Sequence, residues 1–105
     1  MKEIHEKIKK FVSERDWNKF HTGENLAKSL IIEAAELLEL YQWQDDTTNI
    51  EALKEELADV MIYAIMIADH YQFDLREIIL NKIKINEEKY PVSKAYGKSD
   101  KYNQL

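Results

Sequence analysis

Turn-forming residues are scarce in this chain, since its 105 residues include 2 glycines and 1 proline. Folds with many strands need frequent tight turns, which glycine and proline commonly supply. Apolar residues instead recur at helical spacing, as at Ile4, Ile8, Phe11 and Val12. The sequence therefore predicts an all-α fold, and its length suits a single domain over residues 1–105.

Four helices are predicted, separated by short polar connections. Thr48, with Glu51 three residues later, reads as a capping box that opens the third helix. Asp74 is the predicted N-cap of the fourth, which should end before Pro91. Short connections favour an antiparallel four-helix bundle, followed by a polar tail over 92–105. The predicted ranges are about 2–15, 24–43, 48–71 and 74–90, with 16–23 as a loop.

The charge balance bounds the possible partners. The formal net charge of −5 lacks the basic footprint of a nucleic-acid binder, and an anionic ligand would need cations to mediate its contact. The apolar run from Val60 to Ala68 is too short to span a membrane, and the chain contains no cysteine. We expect a cytoplasmic protein that binds neither nucleic acid nor membrane.

Two acidic pairs interrupt this helical pattern. Glu33 occupies the stripe formed by Leu26, Leu30, Leu37 and Leu40, where an apolar residue is expected, and Glu36 follows three residues later. On the third helix Glu56 and Asp59 repeat that spacing. If the helices pack antiparallel, four carboxylates converge, and a hard divalent cation such as Mg²⁺ would relieve their repulsion.

The alternative is that both pairs are solvated surface, as most acidic pairs are, and periodicity alone leaves both interpretations open. Other metal centres fit less well. No Glu has a His three residues later, as a bundle di-iron site requires, and His5, His21 and His70 lack zinc-ligand spacing. No glycine-rich phosphate loop is present.

The motif Glu33-Ala34-Ala35-Glu36, a spacer, then Glu56-Leu57-Ala58-Asp59 resembles the signature of the MazG-like all-α nucleoside triphosphate pyrophosphohydrolases. The likeness is greatest to their dCTP pyrophosphatase branch. It extends through 14–17 (ERDW), 20–21 (FH), 33–43 (EAAELLELYQW), 55–63 (EELADVMIY) and 86–91 (NEEKYP).

The resemblance implies hydrolysis of a (deoxy)nucleoside triphosphate, dCTP or a related or modified dNTP, to the monophosphate and pyrophosphate. It implies Glu33, Glu36, Glu56 and Asp59 as catalytic ligands of Mg²⁺, with Mn²⁺ as a substitute, in a homodimer or homotetramer. A chain this small also leaves apolar surface for assembly.

The same resemblance implies a set of substrate-binding residues. Aromatic or imidazole side chains would lie near base and sugar, and a pair on the fourth helix would reach phosphate. The alternatives are core packing for the aromatic residues and a solvated helix end for that pair. Ile8 stands where some relatives have His, which changes a base contact. The residues are Trp17, His21, Trp43 and Tyr63, then Asn86 and Lys89, with Lys98, Ser99 and Lys101 as weaker candidates in the tail.

Two further interpretations stay open. One is a non-catalytic helical assembly module that binds a partner through its amphipathic helices. The other is a MazG relative acting on another nucleotide, such as dUTP. Glu33 distinguishes an assembly module from an enzyme, because an assembly helix gains nothing from an acid in its apolar stripe.

Overall fold

A computed structural model describes residues 1–104. The helices are α1 (Lys2–Glu14), α2 (Gly23–Glu39), α3 (Ile50–His70), α4 (Leu75–Lys89) and α5 (Val92–Ala95), with 3₁₀ turns at Trp17–Phe20 and Tyr102–Gln104. No strand occurs within the described range. The all-α prediction and its four long helices are therefore confirmed, and two short helical turns lie in the segment expected to be a tail.

The chain divides into two compact units, and the boundary falls between Phe73 and Asp74. In the first unit α2 packs along α3, while α1 contacts α3 and the 3₁₀ turn that follows it. Val12, Leu26, Ile65 and Ala68 are the buried apolar residues of this unit, each at most 4% exposed. The second unit contains α4 and α5.

Helix α2 ends earlier than predicted, at Glu39 rather than at Trp43. The backbone N–H groups of Leu40, Tyr41 and Gln42 each bond the carbonyl three residues back, at 2.9–3.2 Å. This tighter pattern is typical of a helix that is closing. Trp43 therefore lies in the turn between α2 and α3 instead of on the helix.

The predicted capping box at Thr48 is wrong. Asn49 is the N-cap of α3, and its Oδ1 accepts from the backbone N–H of Ala52 at 3.2 Å. The buried Thr47 contributes its Oγ1, which accepts from the Asn49 N–H at 3.1 Å. Thr48 is exposed. The amide cap satisfies a donor of the first turn in the same way a hydroxyl would.

The start of α4 agrees with prediction. Asp74 is its N-cap, and the Asp74 Oδ1 accepts from the backbone N–H of Glu77 at 3.1 Å. The helix ends at Lys89, two residues before Pro91, as expected from the restriction that proline places on its neighbour.

Gly23 marks a close approach between the first turn of α2 and the residue that follows α3. A Cβ atom at this position would collide with the hydroxyl of Tyr71. The Tyr71 ring stacks on Phe73, with 5.6 Å between centroids. The absent side chain at Gly23 therefore allows this end of the α2–α3 pair to close.

Within the described residues, no helix combines the length and apolar character needed to cross a bilayer.

Candidate metal centre and adjoining clefts

Three of the four predicted carboxylates converge between α2 and α3. Glu33, Glu56 and Asp59 each offer an oxygen, and these oxygens lie within 4.8 Å of one another. Glu33 lies six residues before the last residue of α2, and Glu56 lies six residues after the first residue of α3. The two glutamates are thus at equal distances from the turn, as an antiparallel pair of helices requires.

Two oxygens of this group lack partners. The Oε2 atoms of Glu33 and Glu56 are buried and make no hydrogen bond with the described residues. Burial raises the pKa of Glu33, and a hydrogen bond with Glu36 and the negative charges of Glu36, Asp59 and Glu56 raise it further. Burial likewise raises the pKa of Glu56, followed by the hydrogen bond with Glu36 and by neighbouring carboxylates.

Such an arrangement is costly for the protein alone, because like charges repel and unpaired buried acceptors lose hydration. A divalent cation with oxygen ligands removes both costs. The orphaned oxygens and the spacing of Glu33, Glu56 and Asp59 therefore fit a divalent metal site.

Glu36 stands at the edge of this group. It is exposed and lies outside the trio whose oxygens fall within 4.8 Å. It is nonetheless close enough to raise the pKa of both Glu33 and Glu56. The structure therefore places the fourth predicted carboxylate beside the other three, where it adds negative charge.

A cleft of about 460 Å³ opens directly on the acidic group. Glu33 and Asp59 line it together with three of the predicted substrate residues, Trp17, His21 and Tyr63. The rest of its wall is mainly apolar. Those residues are Ile4, Lys7, Ile8, Phe11, Ile62 and Met66.

Trp17 is positioned by its neighbours on α1. Phe11 meets it edge-on, with 5.6 Å between ring centroids and 78° between ring planes. The Arg15 guanidinium lies 3.8 Å from the centroid of the Phe11 ring. Asp16 turns the chain with a left-handed φ of 54° immediately before Trp17. Trp17 keeps 42% of its surface exposed, so core packing does not account for it.

The remaining predicted residues lie elsewhere. Trp43 is 89% exposed and lines neither cleft described here, so it does not belong to the core of this chain. Asn86 and Lys89 lie on α4, in the second unit, with Asn86 exposed and Lys89 half-buried. Lys98, Ser99 and Lys101 are exposed in the segment after α5.

A second cleft, of about 430 Å³, is not predicted by the sequence, and it shares Ile8, His21 and Met66 with the first. Asp69 lines it, and the Asp69 Oδ1 is 2.8 Å from Nδ1 of His5. These partners are 64 residues apart, so no local motif reveals them. The available signal was the position of Asp69 on α3, one turn beyond Met66.

An acidic centre on a helical hairpin, beside a cleft with aromatic walls, fits the class of helical proteins that bind a divalent cation. Residues 28–105 match the model of the MazG-like family, and the chain belongs to that family. The resemblance seen in the sequence is confirmed.

Several known proteins are similar to this chain. The dCTP pyrophosphatase 1 of Homo sapiens is 39% identical, and the match covers 90% of this chain and 61% of the human protein. The Mus musculus protein of the same name is 38% identical with the same coverage. The chain thus spans 61% of the length of these relatives. A crystal structure of a pyrophosphatase from Archaeoglobus fulgidus aligns with a TM-score of 0.83 and 36% identity, over 87% of this chain and 92% of that one.

Proposed function

We propose that residues 1–105 act as one MazG-like enzyme domain. The reaction is hydrolysis of a (deoxy)nucleoside triphosphate, dCTP or a related or modified dNTP, to the monophosphate and pyrophosphate. The observation that carries the proposal is that the acidic group and the predicted base-binding residues share one cleft, with Glu33 and Asp59 beside Trp17 and His21. The names of the relatives supply the choice of dCTP.

Mg²⁺, or Mn²⁺ in its place, would be held by Glu33, Glu36, Glu56 and Asp59. When bound, it supplies charge neutralisation for the triphosphate and a more acidic water for attack on phosphorus. Glu33 and Asp59 also line the cleft, so an ion held by these carboxylates would be accessible from it.

The cleft walls would bind the nucleoside. Trp17 offers an exposed ring face on which a base can stack, and His21 and Tyr63 supply polar edges in the same cleft. Lys7 adds a positive charge to that wall. Trp43, Asn86 and Lys89 stay in the proposal on the strength of the family motif, as contacts to base and phosphate.

Assembly into a homodimer or homotetramer is part of the proposal. Ile31, Ile32 and Leu38 on α2 are 66%, 58% and 68% exposed. Several large apolar side chains exposed on one helix are typical of an association surface. We also propose a cytoplasmic location, where dNTPs and Mg²⁺ occur together.

The rival proposal, a non-catalytic assembly module, accounts for the exposed apolar residues on α2. It does not account for Glu33 and Glu56, whose buried Oε2 atoms have no partner among the described residues. An assembly helix would be more stable with apolar residues at these positions, so the acids favour the enzyme.

The test is a panel of canonical and modified (d)NTPs with Mg²⁺ or Mn²⁺, in which pyrophosphate and monophosphate are both measured. We expect equimolar products from dCTP or a modified dNTP, and loss of turnover when the cation is chelated. Preferred hydrolysis of dUTP would support the alternative substrate. The assembly module would be favoured if the folded protein releases no pyrophosphate and its melting temperature does not change when Mg²⁺ is added.

A further inference from the structure

We propose that Asp69, held in place by His5, selects a base that carries an exocyclic amino group, as cytosine does, over a base with a keto group there, as in uracil. The inference rests on the proposed function, because it assigns a specificity-determining residue to the same nucleotide site.

The Asp69 carboxylate is only half satisfied. Its Oδ1 pairs with Nδ1 of His5 at 2.8 Å, and both side chains are about four-fifths buried, with 21% and 20% exposed for His5 and Asp69. Its Oδ2 is buried and has no hydrogen-bond partner in the part of the chain that the structure describes. An ionised carboxylate only accepts hydrogen bonds, so the free oxygen requires a donor.

The position of Asp69 relative to the acidic centre suits a nucleotide. Asp59, Met66 and Asp69 lie along one side of α3, and ten residues separate the two aspartates. At 1.5 Å per residue this distance is about 15 Å, comparable with an extended nucleoside triphosphate. Met66 borders both clefts, so the cleft beside the carboxylates adjoins the cleft that Asp69 lines.

A triphosphate bound at Asp59 therefore directs its base past Met66 and His21 towards Asp69. The cytosine 4-amino group donates hydrogen bonds, and Asp or Glu is the side chain that accepts from it in base recognition. The uracil 4-keto oxygen would instead face a carboxylate oxygen, with neither supplying a proton.

The buried Oδ2 does not prevent this contact. The terminal torsion of Asp is broad, so a partial turn about χ2 can move Oδ2 from its buried position towards the cleft that Asp69 lines. The proposal requires this turn when the base binds, with Oδ1 remaining towards His5. His5 thus fixes the carboxylate, and Asp69 contacts the base.

The decisive variant is Asp69→Asn, which keeps the shape and an oxygen for His5 but turns the free acceptor into an N–H₂ donor. The measurement is kcat/KM for dCTP and for dUTP. We expect the dCTP-to-dUTP ratio to fall about 10-fold or more, because a polar site strongly rejects a substrate that leaves its groups unpaired. Asp45→Asn, an exposed change in the α2–α3 turn, should leave both rates unchanged.

His5→Ala separates positioning from recognition. It removes the α1–α3 bond and should lower the melting temperature, while dCTP stays preferred because Asp69 is still a carboxylate. If the pair only links helices, Asp69→Asn will reduce both rates by the same factor. An unchanged ratio in folded Asp69→Asn protein overturns the proposal.

A second measurement uses the wild-type protein, so its result does not depend on whether the Asp69→Asn variant folds. A deoxynucleoside triphosphate with a 2-pyrimidinone base lacks the 4-amino group without added bulk. We expect its kcat/KM to be at least about 10-fold below that of dCTP, and equal rates overturn the inference. Failure of the proposed function gives a different result, namely no pyrophosphate from any triphosphate.

Discussion

Glu33 and Glu56 face each other from α2 and α3 with carboxylate oxygens within 4.8 Å, and each keeps a buried Oε2 without a partner in the described chain. Packing of the two helices therefore brings together carboxylates that repel one another. Folding and cation binding should be coupled, because the cation stabilises only the state in which the acids converge.

The first prediction tests this coupling by removing one charge. Glu33→Gln should raise the melting temperature of the cation-free protein, since burial and repulsion both disfavour the charged Glu33. It should also abolish the stabilisation by Mg²⁺, which for wild type is expected to reach about 2.7 kcal/mol at a cation concentration 100 times Kd. Exposed Glu39→Gln on the same helix is the control and should keep the Mg²⁺ response. A wild-type melting temperature that stays constant through a Mg²⁺ titration would reject the metal centre.

Turnover should depend on the neighbouring carboxylates. Glu36→Gln and Asp59→Asn each remove a negative ligand while keeping the shape of the side chain, and we expect each to abolish pyrophosphate release. The exposed Glu24, which pairs with Lys28, supplies a Glu→Gln control that should retain activity. Full activity in Glu36→Gln alone would show that the trio of Glu33, Glu56 and Asp59 suffices.

Trp43→Ala tests whether this side chain recognises substrate. Because Trp43 is 89% exposed, its removal should change the free energy of unfolding by no more than about 0.5 kcal/mol. A core tryptophan would cost about 3–5 kcal/mol. If its ring stacks on the base, KM should rise about 5-fold to 150-fold, from roughly 1–3 kcal/mol of stacking. Unaltered KM for two different bases would remove Trp43 from the site.

The N-cap of α3 offers a matched pair of neighbouring variants. Asn49→Ala should lower stability by about 1 kcal/mol, because it leaves the Ala52 N–H without its acceptor. Thermal unfolding should then shift down by about 4–8 °C for a domain of this size. Thr48→Ala should have almost no effect, since Thr48 is exposed and does not cap the helix. The reverse order would restore the capping box that the sequence suggested.

Light scattering tests the proposed assembly. The mass should exceed that of the 12.5 kDa chain. Ile32→Glu should lower the mass, because it places a charge among exposed apolar residues of α2. Gln42→Glu is the charge-matched control in the adjoining turn and should leave the mass unchanged. A monomer at micromolar concentration would contradict the proposal.

The sequence predicts the helices and the acidic centre because both depend on local spacing. Glu33 interrupts an apolar stripe, and that interruption is visible without a structure. The end of α2 differs from the prediction because Leu40, Tyr41 and Trp43 continue the apolar character beyond the point where hydrogen bonds tighten.

Other features depend on packing that no local pattern encodes. Thr48 and Asn49 are both good caps, and only the backbone geometry decides between them. The contact between His5 and Asp69 joins helices that are distant in sequence. The distance of Glu36 from the other three carboxylates likewise depends on packing, although the sequence already places Glu36 on a helix face next to that of Glu33.

The close approach of Gly23 to Tyr71 has a consequence for the sliding of α2 against α3. The turn fixes one end of this pair, and the fit of a bare glycine against a tyrosine hydroxyl fixes the other. A slip by one helical turn would move α2 by about 5.4 Å, more than the 4.8 Å within which the acids converge. A bulky residue at position 23 would thus favour a shifted alignment of α2 on α3. Because the shift would separate the acids, it would lower the affinity for a divalent cation. That affinity therefore depends on a contact at the far end of the helix pair.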